Sequence, residues 1–85
     1  MELSRRKDLV CREVDGSLVG LDLRSSRYFS LNQTGTFLWG LLEGGSERAV
    51  LVDALVDQHH IDPAVAGQDV DAFISSLQEQ DLLEG

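Results

Sequence analysis

The chain changes its periodicity once, at Asn32, and the order of the two halves leaves few folds open. From Leu9 to Leu31, apolar and β-branched residues alternate with polar ones around short glycine and serine breaks, the period-two pattern of half-buried strands. Beyond Asn32 the apolar residues recur at spacings of three and four, the pattern of helices with one buried stripe. Strands that come first and helices that come last bury the sheet's apolar face by laying the helices on it. The chain is therefore expected to form an α+β domain, a three-stranded antiparallel sheet followed by three helices, with the parts of a winged helix-turn-helix.

Asp15-Gly16, between Val14 and Ser17, permits positive φ at both turn positions and predicts a hairpin of Leu9–Val14 with Ser17–Leu23. Val19, Leu21 and Leu23 share one face of the second strand and are expected to point inward, with Leu18, Gly20 and Asp22 outward. In the first strand Leu9 and Cys11 oppose Val10 and Val14, and the pattern leaves open which pair is buried. Arg27–Leu31 reads as a third strand with Phe29 and Leu31 on one side. Asn32 can cap a helix over Gln33–Leu42, with Leu38, Leu41 and Leu42 on a stripe that Phe37 and Trp39 widen. Ser46 is expected to cap a second helix, Glu47–His59, buried at Leu51 and Leu55. Asp62-Pro63 opens the third, running to about Gln80 with Ala66, Val70, Phe73, Ile74 and Leu77 on one stripe.

A chain of 85 residues is read as a single domain, 1–85, with 1–8 as a flexible tail. One cysteine, Cys11, excludes an intramolecular disulfide. No apolar run approaches the length of about 18 residues that spans a membrane. The basic trio Arg5-Arg6-Lys7 is followed only by Leu9-Val10-Cys11, too short for a secretory signal. A cytoplasmic protein is expected.

The formal charge of −8 is unevenly placed. Residues 1–43 carry six basic and six acidic side chains, whereas 44–85 carry nine acids and only Arg48, so the whole excess sits on the helices. Helices of that sign repel phosphate, which argues against the groove-reading use of a winged helix and against anionic membranes. No nucleic-acid or membrane partner is expected; a DNA-associated regulator or adaptor remains the alternative, resting on Arg5-Arg6-Lys7 alone.

Catalysis has little to stand on. Adjacent His59 and His60 project about 100° apart on a helix and cannot close on one metal. Cys11 reads as a small strand hydrophobe, and Asp69 and Asp71 splay to either side of Val70. Phosphate loops, calcium loops and nucleophile–histidine patterns are missing from the sequence. The expectation is no enzyme activity, no catalytic residues, no metal and no cofactor.

The segment Tyr28-Phe29-Ser30-Leu31-Asn32-Gln33-Thr34-Gly35 with Leu38-Trp39, together with Val19-Gly20-Leu21-Asp22, Asp69-Val70-Asp71-Ala72-Phe73-Ile74 and Leu77 through Leu83, resembles the PqqD-like family. These are leader-recognition elements for ribosomally made, modified peptides, and the chain is most similar to the small stand-alone proteins of lasso-peptide biosynthesis. The resemblance implies a non-catalytic module that binds the leader of a precursor peptide as an added strand and presents it to a processing enzyme, a leader peptidase in the lasso group. It also implies that Arg27, Tyr28, Phe29, Ser30 and Leu31 supply the edge, while Asp69, Val70, Phe73, Ile74 and Leu77 supply pockets. Leaders of the lasso group carry a Tyr-x-x-Pro motif, a downstream apolar residue and often lysines. Where the family often has glycine before the terminal Leu-Leu, this chain has Asp81, so the last helix is expected to end differently.

Overall fold

The computed structural model describes residues 2–84. Its strands are β1 (Glu2–Arg5), β2 (Leu9–Val14), β3 (Ser17–Asp22), β4 (Arg27–Leu31), β5 (Ser46–Glu47) and β6 (Leu83–Glu84). Its helices are α1 (Gln33–Leu41), α2 (Arg48–His59) and α3 (Pro63–Glu79). The expected antiparallel sheet forms in the order β2-β3-β4, and the three helices follow it. Asp15 and Gly16 both take positive φ, 54° and 81°, which lets a two-residue turn follow the strand twist.

Two caps behave as their chemistry dictates. The Asn32 side chain accepts from the Gly35 N–H at 2.8 Å and starts α1. Asp62 accepts from the Ala64 N–H at 2.8 Å and starts α3. Ser46, expected as a third cap, instead lies in β5 opposite Leu3, and α2 begins at Arg48. The core joins Leu38, Trp39 and Leu42 of α1 and its end to Leu51 and Leu55 of α2 and Val70 and Leu77 of α3.

The stretch expected to be a tail is tied down instead. β1 is the middle strand of a second sheet, β5-β1-β6, pairing with residues more than forty positions away. Met1 lies outside the described residues. Immediately after β1, the Arg6 guanidinium is buried and donates to both Asp22 oxygens at 2.7 and 3.0 Å, to Asp8 at 3.0 Å and to the Asp81 carbonyl at 2.6 Å. That one side chain joins the N-terminus, the β3–β4 turn and the end of α3.

The face assignment of β3 is the reverse of the expectation. Leu18, Gly20 and Asp22 are buried, whereas Val19 and Leu23 are 43% and 56% exposed. Gly20 faces inward because a Cβ there would stand 2.1 Å from the Phe29 Cζ: the ring of its cross-strand partner occupies that space. Asp22 faces inward because Arg6 neutralises it. Of the two pairs left open in β2, neither is deeply buried, but Leu9 packs against the core while Val10 and Val14 are exposed.

α3 ends on a residue in the left-handed region. Asp81 has φ 56°, its N–H reaches the Gln78 carbonyl at 3.1 Å, and the next N–H, Leu82, reaches back to Leu77 at 2.9 Å. This is a Schellman stop, in which glycine is the unstrained residue. Asp81 makes the same stop with a Cβ in place. Asp81→Gly should therefore stabilise the fold by about 0.5–1 kcal/mol, seen as a higher urea midpoint. A lower midpoint would mean that the Asp81 carboxylate, 4.0 Å from Arg6, matters more than backbone strain.

Candidate functional site

The register of the main sheet decides which backbone groups are free. The Leu23 N–H donates to the Asp8 carbonyl, so odd-numbered residues of β3 bond toward β2 and Leu18, Gly20 and Asp22 bond toward β4. Their partners Leu31, Phe29 and Arg27 are thereby satisfied within the sheet. The N–H and C=O groups of Tyr28 and Ser30 face the other way, along an edge that no strand covers among the described residues. A row of this kind is a template for an added strand.

β4 and α3 run in opposite directions, and a cleft lies between them. Near the C-terminal end of β4 is a depression of about 420 Å³, lined by Ser30, Leu31, Asn32, Asp69, Ala72, Phe73 and Ser76 among others. Toward the β3–β4 turn a second, of about 520 Å³, is lined by Arg24, Arg27, Tyr28, Phe29, Gln80 and Asp81 among others. Phe29 forms part of the floor. Its ring lies over Gly20 on one side and against Trp39 on the other, with centroids 5.7 Å apart. The glycine thus leaves room for an aromatic ring on the strand that carries the open edge.

The charges along the cleft are unequal. Asp71 is bound by Arg48 in a two-pronged pair at 2.6 and 3.0 Å, and that guanidinium holds its carboxyl below the usual carboxylate range. Asp69, two residues earlier and so on the other side of α3, forms no ion pair among the described residues and lines the cleft. Side chains elsewhere do not assemble into reactive groups. Burial pushes the Cys11 thiol up, away from thiolate chemistry. His59 stacks edge-on against Phe37 at 6.4 Å. Among the described residues no group of three or more His, Cys, Asp or Glu side chains converges as a metal site would require.

Of the ten residues singled out from the sequence, Arg27, Tyr28, Phe29, Ser30, Leu31, Asp69 and Phe73 line the cleft. Val70 and Leu77 do not: both are fully buried and belong to the core. Ile74 packs partly buried against that core. Ala72 and Ser76 were missed, although Asp69, Ala72, Phe73 and Ser76 stand at i, i+3, i+4 and i+7 and so form a stripe of their own. Small polar or near-apolar residues in such a stripe are the available signal.

A model of the family described as Coenzyme PQQ synthesis protein D (PqqD) matches residues 17–83. Two solved structures share the whole arrangement. One is TbiB1 in complex with the TbiA(beta) leader peptide, 30% identical, covering 96% of this chain and 95% of that one with a TM-score of 0.87. The other is a lasso peptide synthetase B1 complexed with the leader peptide, 25% identical, covering 98% of each chain with a TM-score of 0.84. Among curated proteins none matches the chain.

Proposed function

This chain belongs to the PqqD family, and from that membership we propose that it is a non-catalytic module that binds the leader region of a ribosomally made precursor peptide. The leader adds as a fourth strand on β4, bonding to the outward N–H and C=O groups of Tyr28 and Ser30, and its side chains enter the cleft toward Phe29, Phe73 and Asp69. The observation that carries this reading is the open β4 edge beside the α3 cleft, in a fold shared along nearly its full length with two leader-peptide complexes. The bound precursor is then delivered to a processing enzyme, a leader peptidase if the pathway is of the lasso type.

Backbone pairing gives affinity with little selectivity, because every extended peptide offers the same ladder. Selectivity comes from the pockets and from the acidic excess, all of it carried by residues 44–85 and part of it by α3. Titrating a labelled cognate leader peptide tests both parts. Affinity should fall several-fold between about 0.05 and 0.5 M NaCl as Asp69 and its neighbours are screened from leader lysines. A salt-independent affinity removes the electrostatic contribution, and no binding at about 0.1 mM removes the proposed function itself.

A further inference from the structure

β2 is the second open edge of the main sheet. Since Asp8 bonds to Leu23, alternation turns Val10, Arg12 and Val14 toward β3 and leaves the backbone groups of Leu9, Cys11 and Glu13 facing outward. Beside them, on the helix side of the sheet, lies a depression of about 590 Å³ lined by Leu9, Cys11, Trp39, Leu42, Arg5 and Lys7 among others. Nothing on the flank of the sheet fills it among the described residues.

The sequence along this edge is complementary to its own reverse. Lys7-Asp8-Leu9-Val10-Cys11-Arg12-Glu13 reads cation, anion, three apolar residues, cation, anion. Folded back on itself about Val10, it sets Lys7 opposite Glu13, Asp8 opposite Arg12, Leu9 opposite Cys11 and Val10 opposite Val10. We propose that β2 pairs antiparallel with β2 of a second copy about a two-fold axis through Val10, joining two three-stranded sheets into one of six strands.

The neighbouring registers are worse by charge and by polarity. A two-fold at Cys11 sets Val10 against Arg12 and Leu9 against Glu13, and a two-fold at Arg12 sets the two Arg12 side chains against each other. The Val10 register also satisfies the ladder, since outward-facing Leu9 and Cys11 of one copy exchange bonds with Cys11 and Leu9 of the other. Val10 is 55% exposed on the outer face, so the axis brings two uncovered apolar side chains together. Asp8 remains 40% exposed beyond its contacts with Arg6 and Arg24 and is open to Arg12 of the second copy. Edge strands usually carry charges that repel a copy of themselves; here the charges match. The β4 edges stay free at the two ends of the joined sheet.

Sedimentation velocity of the reduced protein tests the dimer. A short strand pair buries little area, so dissociation constants of tens to hundreds of micromolar are expected, and a dimer should be populated at about 0.3 mM. Cys11→Pro removes an outward N–H without touching the β2–β3 ladder and should abolish it, whereas Ser30→Pro on the opposite edge should not. In a Cys11→Ser background, Val10→Cys should form a disulfide dimer far faster than Val14→Cys, because only the former sits on the axis. A strict monomer at that concentration overturns the proposal. So does a dimer lost with Ser30→Pro and kept with Cys11→Pro, or equal crosslinking at the two positions.

Discussion

Arg6→Met is expected to lower the thermal unfolding midpoint by about 10 °C or more. The cost is not the lost attraction alone. Removing the guanidinium leaves Asp22 enclosed, with a side chain only 7% exposed, and strands the Asp81 carbonyl that Arg6 now bonds at 2.6 Å. Adding Asp22→Asn should recover much of the loss, because the amide keeps its acceptor for the Arg24 N–H without a buried charge. Acid gives an independent check with a definite sign. Arg6 holds the Asp22 carboxyl well below the usual carboxylate range, so the pair's contribution is fully present above about pH 4 and fades as pH falls below it toward the folded-state value. In Arg6→Met the same carboxyl is buried without a cation, its pKa rises, and protonation favours the folded state. The gap between the two midpoints should therefore narrow between about pH 6 and pH 3. A gap independent of pH would place the effect of Arg6 in packing, not in its charge.

Arg6 also marks the boundary of what sequence shows. Local patterns find elements whose partners are near: the Asp15-Gly16 hairpin, the Asn32 and Asp62 caps and the stripes of α1, α2 and α3 all stand where the spacing places them. The errors in β1 and β3 arise where a partner from another element decides the outcome. β1 has no period of its own and becomes a strand because β5, from the middle of the sequence, and β6, from beyond α3, bond to it. In β3, counting apolar residues favours Val19, Leu21 and Leu23. What decides the matter is a ring from Phe29 that only a glycine admits and an arginine from outside the sheet that only an inward carboxylate can meet. The candidate site divides the same way. The faces of β4 were legible because alternation gives them directly, while its edge enters only through the family resemblance. The α3 half was not legible, since Val70 and Leu77 and the cleft stripe of Asp69, Ala72 and Ser76 lie on adjoining faces of one helix, and Phe73 serves both.

Ser30→Pro is expected to weaken leader binding at least tenfold while leaving the fold nearly intact. The distinction rests on register. Ser30 stands opposite Val19 in a pair that does not exchange hydrogen bonds, so its N–H points to the open edge, and a proline there cuts nothing that holds β3 to β4. Phe29 stands opposite Gly20 in a bonded pair, and proline at that position would sever the internal ladder and remove the ring from the cleft floor. Loss of one N–H donor costs a bound strand about 1 kcal/mol, and the pyrrolidine ring adds bulk at the contact line, so the combined effect exceeds the roughly 1.4 kcal/mol that corresponds to tenfold. Ser30→Ala keeps the N–H and should bind within about twofold of the parent, which separates the backbone from the hydroxyl. Fluorescence anisotropy with labelled leader reads the affinities, and far-UV circular dichroism with a thermal melt reads the fold. Parent-like binding by a folded Ser30→Pro protein would falsify strand addition at β4, because the substitution removes an edge donor while leaving Phe29, Phe73 and Asp69 in place.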